Sequence, residues 1–203
     1  APAGLTPALG RVAGGAYTPL GGVGLGGSGG GGASFFGVEA QGNRFAYIVD
    51  ISGSMEGARL QTLQLELIRS IDSLLETSQF LIVPYSSDAA PLANRRAWTD
   101  ASSNGKGWAK NAITGLSAQG GTDPRPGFAI VFDTKPIPDA IYFMTDGEFD
   151  DVVPDEVSAR NRRFKVPIHC IYIGDDEPVP EIEKKMRLIA RQSRGTYRFI
   201  KGP

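Results

Sequence analysis

The chain has a single cysteine, a single histidine, almost no net charge and no long apolar run, and each shortage closes off a class of function. One thiol cannot form an internal disulfide, and Cys170 sits inside an apolar stretch where it reads as a small buried hydrophobe, so the redox compartment stays open. Without further cysteine or a second histidine there is no zinc site of the usual kind and no Cys-His catalytic pair. His169 itself lies mid-strand and reads as a hydrogen-bonded core residue. Lys and Arg total 21 against 22 Asp and Glu, which leaves no field to steer the protein onto nucleic acid or an anionic membrane. No stretch approaches the ~20 apolar residues of a bilayer span, and none has the pattern of a signal peptide. The chain opens on Ala1, so a processed protein or a fragment with an upstream anchor is the expectation.

What is present divides in two. Residues 1–33 hold 13 of the 27 glycines and read as a Gly-rich linker or tail, with self-association through it as one expected role. Residues 34–203, with most of the 41% hydrophobic content, are long enough for one buried core. Phe35 to Val38 and Phe45 to Val49 flank Gln41-Gly42-Asn43 and read as a hairpin feeding a central strand. Leu60, Leu63, Leu67, Ile68, Ile71, Leu74 and Leu75 recur at helical spacing, and Phe80 to Tyr85 reads as a strand. Pro91 to Trp98 is expected to be an edge strand, because a proline suits a strand's margin.

A second helix through Trp108 and Ile113 is expected to stop at Gly120-Gly121, and a third to begin near Pro124 or Pro126. Ala140 to Met144 and Val166 to Ile173 are nearly continuous apolar runs, as strands covered on both faces are. A short helix after Pro154, a last helix from Pro180 to Arg194 with Glu181 placed to pair with Lys185, and a final strand from Thr196 to Ile200 complete the pattern. Such alternation predicts an α/β fold: a three-layer, doubly wound, mostly parallel sheet with one antiparallel edge strand and an amino-terminal hairpin. Ligands of such sheets bind beyond the carboxyl ends of the strands.

Three oxygen-rich strings fall at those ends. Asp50-Ile51-Ser52-Gly53-Ser54-Met55 follows the first central strand, Gly120-Gly121-Thr122-Asp123 precedes the third helix, and Thr145-Asp146-Gly147-Glu148 follows a later strand. Each alone is an ordinary turn or cap. Together they bring carboxylates and hydroxyls to one edge, a donor set suited to a small hard cation such as Mg²⁺, which takes six oxygens at ~2.1 Å. The three strings resemble the metal-ion-dependent adhesion site of von Willebrand factor A domains, and the variants look most like bacterial members.

That resemblance implies a fold of the doubly wound kind over Phe45 to Ile200 and a metal site of Asp50, Ser52, Ser54, Thr122 and Asp146. Ser52 and Ser54 would bind directly, Thr122 directly or through water, and Asp50 and Asp146 through water; Mn²⁺ or Ca²⁺ could replace Mg²⁺. A metal held mainly by neutral hydroxyls keeps its positive charge and can accept a carboxylate, so the implied partner is a protein presenting Glu or Asp, with Asp123 and Glu148 on the binding rim. The resemblance further implies a non-enzymatic recognition or adhesion module, a bacterial cell-envelope or extracytoplasmic setting, and coupling of ligation to movement of the last helix. Two alternatives are a self-assembling filament subunit using the tail, and metal-dependent phosphoryl transfer. The second lacks a carboxylate two residues after Asp50, where Ser52 stands.

Overall fold

The computed structural model describes residues 31–202, so the expectations for the Gly-rich tail lie outside the described residues. Eight strands, β1 Gly32–Phe35, β2 Val38–Gln41, β3 Arg44–Asp50, β4 Gln79–Tyr85, β5 Thr99–Asp100, β6 Ala140–Thr145, β7 Ile168–Gly174 and β8 Tyr197–Lys201, alternate with five α-helices. These are α1 Ala58–Ser73, α2 Ser103–Thr114, α3 Arg125–Asp133, α4 Val153–Asn161 and α5 Pro180–Ser193. Six strands form one sheet in the order β5-β4-β3-β6-β7-β8, parallel except for the antiparallel edge strand β5. The order reverses direction at β3 and β6, so the turns that leave these two neighbours stand side by side.

Alternation along the strands feeds two cores. Phe45, Tyr47 and Val49 of β3 join Tyr142 and Met144 of β6 under α1, α2 and the hairpin. Ala46 and Ile48 join Ile141, Phe143 and Cys170 under α3, α4 and α5. Both faces are thus dry, which explains why β6 and β7 read as nearly continuous apolar runs. Each large aliphatic or aromatic residue so buried contributes ~1.5–3 kcal/mol relative to exposure.

The hairpin is real but shifted. It closes within Gly32–Gln41 through Phe36-Gly37, both at positive φ (48° and 69°), the geometry of a two-residue turn matched to strand twist. Gln41-Gly42-Asn43 is only the link into β3, and β1 and β2 form a separate two-stranded sheet. A Phe in the first turn position masked the signal; its ring is buried edge-on against Phe35, at 4.7 Å between centroids. Phe35 in turn meets Tyr47 and Tyr142 at 5.4 and 5.6 Å, and the Tyr142 hydroxyl donates to the carbonyls of Ala33 and Val38. Aromatic contacts and two backbone hydrogen bonds thereby fix the hairpin over the sheet.

Other expectations are also displaced. Pro91 to Trp98 is not a strand: Leu92–Asn94 is a turn of 3-10 helix with Ala93 and Asn94 left-handed, and the edge strand is Thr99–Asp100. Helix α2 ends at Thr114, capped at Gly115, well before Gly120. Lys185 bonds the Phe149 carbonyl and pairs with Asp151 at 3.0 Å rather than with Glu181. The loop after β6 lies against α5 and offers these acceptors, which outcompete an exposed i,i+4 pair. The helix expected from Pro180 to Arg194 is α5, a crossover whose two ends both run into sheet strands.

Candidate metal-binding site

The three strings converge. The β3 turn is tied to the loop before α3 by Gly53 N donating to Gly120 O (3.0 Å) and Gln119 N donating to Ile51 O (2.8 Å). Gly120 adopts φ 71° beside Ser86 and Ser87, while Gly121 N donates to Ser87 Oγ (2.7 Å) and Asp123 N to the Ser86 carbonyl (2.7 Å). The β4 turn therefore braces the loop that carries Thr122.

Ser52 Oγ lies 3.1 Å from Ser54 Oγ, and Ser54 Oγ donates to Asp146 Oδ1 at 2.7 Å across 92 residues of sequence. The Cβ position at Gly147 would lie 3.5 Å from Thr122 Oγ1 and 3.8 Å from Ser54 Oγ, ordinary contact distances, so Thr122 and Ser54 approach the same point from opposite loops. Asp50 is wholly buried and accepts from Ser52 N (2.8 Å), Thr145 Oγ1 (2.6 Å) and Tyr85 Oη (3.2 Å). Burial pushes its carboxyl above the usual range, against the lowering effect of its Ser52 and Thr145 hydrogen bonds. Asp50, Ser52, Ser54, Thr122 and Asp146 are thus all brought together.

The donor set can be tested against the metal. Adjacent ligands of an octahedral ion at ~2.1 Å are ~3.0 Å apart, close to the Ser52–Ser54 hydroxyl spacing. Among the described residues no three of His, Cys, Asp and Glu gather into one cluster, so a divalent ion here would draw on hydroxyl and water oxygens as much as on carboxylates. The residues present fit a small hard cation.

Four participants were not singled out from sequence. Thr145 and Tyr85 orient Asp50; Thr145 stood inside a quoted string, whereas Tyr85 needed the β3–β4 register, which pairs it with Asp50. Arg59, at the start of α1, donates to Asp146 Oδ2 (3.0 Å) and to Asp175 Oδ2 (2.6 Å), and Asp175 follows β7. An Arg five residues after Ser54 gives no motif signal. The expected rim residues fare differently: Asp123 is held by Arg125 at 2.8 and 2.9 Å, whose hydrogen bonds keep its carboxyl below the usual range, while Glu148 is exposed.

Residues 43–199 match the family model of the von Willebrand factor type A domain, and the chain belongs to that family of protein-interaction modules. No curated protein matches the chain. Among solved structures it is similar to a von Willebrand factor type A protein from Catenulispora acidiphila, with 23% identity and a TM-score of 0.69 over 80% of this chain and 40% of that one. It thus spans well under half of that relative. It is also similar to BatB from Bacteroides thetaiotaomicron, with 18% identity and a TM-score of 0.64 over 80% of this chain and 92% of that one. An aerotolerance-related membrane protein from Bacteroides fragilis gives 17% identity and 0.60 over 78% and 92%. At these identities the likeness is one of fold.

Proposed function

We propose that the carboxyl edge of the sheet is a Mg²⁺-dependent recognition site that binds an acidic side chain of a partner protein, and that the domain is not an enzyme. The observation that carries this reading is the chain of contacts Ser52, Ser54, Asp146, drawn from two loops at the spacing of adjacent metal ligands. Ser52 and Ser54 would hold the ion directly, Thr122 directly or through water, and Asp50 and Asp146 through water; Mn²⁺ or Ca²⁺ could substitute. When bound, the ion supplies a Lewis-acid position that a carboxylate oxygen can fill.

Charge supports an acidic ligand. Arg59 pairs with both Asp146 and Asp175, and a divalent ion held directly by the neutral Ser52 and Ser54 hydroxyls keeps its own positive charge open to a carboxylate. Arg125, set against Asp123 and 39% exposed, adds a cation at the rim, while Glu148 favours basic surroundings on the partner. Phosphoryl transfer gains no support: Ser52 occupies the position two residues after Asp50 and is committed to Ser54. Among the described residues no helix is long and apolar enough to cross a membrane. An envelope-associated setting draws on the likeness to the aerotolerance-related membrane protein from Bacteroides fragilis.

Calorimetric titration of Mg²⁺ into the wild type and Asp50→Ala tests the site. A saturable heat in the first and none in the second is expected, and equal heats would overturn the assignment. A pull-down with and without chelator then identifies partners as those lost on chelation.

A further inference from the structure

At the opposite edge of the sheet, where α4 and α5 end and β7 begins, lies a cavity of about 230 Å³. Its floor is Ile168 and Ile189, and its walls carry Arg162, Lys165 and Arg194 together with Ser158 and Gln192. No carboxylate lines it, and among the described residues none of the three cations belongs to an ion pair. We propose that this cavity is a binding site for a phosphate dianion, either inorganic phosphate or the phosphoryl group of a small phosphomonoester.

Cations near helix ends have a simpler use, which is to satisfy the last carbonyls. Here three of those carbonyls are already engaged by backbone N–H groups. Asn161 O accepts from Phe164 N and Lys165 N, Arg191 O accepts from Arg194 N, and Ala190 O accepts from Gly195 N. The three side chains are left over.

The backbone adds a second, independent sign. Five non-glycine residues among those described have left-handed backbone, and two of them, Lys165 (φ 57°) and Arg194 (φ 64°), are cations that meet at this one cavity. Such positions normally fall to Gly or Asn, since an L side chain there costs ~1–2 kcal/mol. Retaining long cationic side chains at both is the pattern of strain kept for a ligand.

Charge fixes the ligand class. Three cations, reduced by about half an elementary charge for each of the two helix carboxyl ends, leave an excess of roughly two positive charges, matched to a dianion. The volume is below the ~300–1,000 Å³ of pockets for drug-sized ligands, so the cavity takes a compact group. Ser158 and Gln192 supply neutral donors beside guanidinium groups suited to phosphate oxygens.

The test is a titration of the full chain, free of Mg²⁺, with inorganic phosphate at constant ionic strength, followed by ¹H–¹⁵N chemical shifts. Saturable shifts over residues 158–168 and 189–196 are expected, and Arg162→Gln/Arg194→Gln should weaken binding at least tenfold. Arg160→Gln/Arg163→Gln, which removes equal charge from exposed positions outside the cavity lining, should change affinity less than twofold. Shifts that grow linearly without saturation, or equal weakening by both pairs, would overturn the proposal. Arg162→Gln alone, at an exposed position with ordinary backbone, repeats the comparison if the double variant unfolds. Glycerol phosphate in place of phosphate separates the sources: tighter binding assigns the cavity to a phosphomonoester, weaker binding to the free ion. None of these readouts depends on the metal site.

Discussion

The two edges of the sheet treat charge in opposite ways. At the carboxyl edge each carboxylate of the site is held across the sheet: Asp50 by Thr145 and Tyr85 besides its own turn at Ser52, and Asp146 by Ser54 and Arg59. At the amino edge three cations line a cavity and, among the described residues, belong to no ion pair. Both edges carry cross-links, the amino edge through Asp139 to Asn43 N and Arg44 N (2.8 and 2.9 Å), but the three cavity cations take no part in them. Groups that are hydrogen-bonded and buried contribute to folding itself, whereas unpaired exposed charges contribute little, so the edges should differ in how strongly mutation moves stability.

The largest effect is expected at Thr145. Thr145→Val keeps the shape but leaves Oδ2 of the buried Asp50 with only the longer Tyr85 contact, which should cost ~1.5–3 kcal/mol in chemical denaturation of the magnesium-free protein. A loss under ~0.5 kcal/mol would erase the contrast between the edges. Tyr85→Phe is expected to cost less, ~0.5–1.5 kcal/mol, because its hydroxyl divides between Asp50 and the Met144 carbonyl at 3.2 and 3.3 Å.

A subtler effect is expected at His169, on the strand between the edges. Its ring bonds Thr196 Oγ1 at 2.9 Å and lies 5.4 Å from the Tyr142 ring, and burial holds its pKa below the usual value. The unfolded chain then takes up a proton at a higher pH than the folded one, so stability should fall as pH drops through ~6.5 toward the lowered folded value and level off below it. His169→Gln should flatten this part of the stability profile. An unchanged profile would mean that His169 charges freely in the folded protein.

How much of this was legible in the sequence depends on the range of the cause. The convergence of Asp50, Ser52, Ser54, Thr122 and Asp146 was readable because they sit in contiguous strings after strands or just before a helix, where position along the chain already implies position in space. The sheet followed from local periodicity in the same way. The hairpin turn was missed because Phe36 takes a left-handed conformation that local propensity assigns to Gly or Asn, and only its packing on Phe35 offsets the strain. Arg59, Tyr85 and Asp175 were missed because their roles depend on strand register and on contacts across 35 to 116 residues, which no spacing encodes. The basic stretch from Arg160 to Lys165 reads as a solvated helix face. That Lys165 faces a cavity shared with Arg194 is a tertiary fact.

The smallest expected change sharpens the contrast from the amino edge. Lys165→Gly relieves a left-handed residue at φ 57°, worth ~1–2 kcal/mol, while the added freedom of glycine in the unfolded chain returns ~0.5–1 kcal/mol. The net should be a stabilisation of ~0.5–1 kcal/mol, measured by denaturant midpoint at unchanged slope. Its side chain has no ion pair to lose among the described residues, so nothing in the fold opposes the gain. Phosphate affinity should fall in the same variant. Stability rising while binding falls would identify Lys165 as a residue kept against the interest of the fold. A destabilised variant would mean instead that the lysine stem packs on its neighbours, and that the cavity is tied together as the carboxyl edge is.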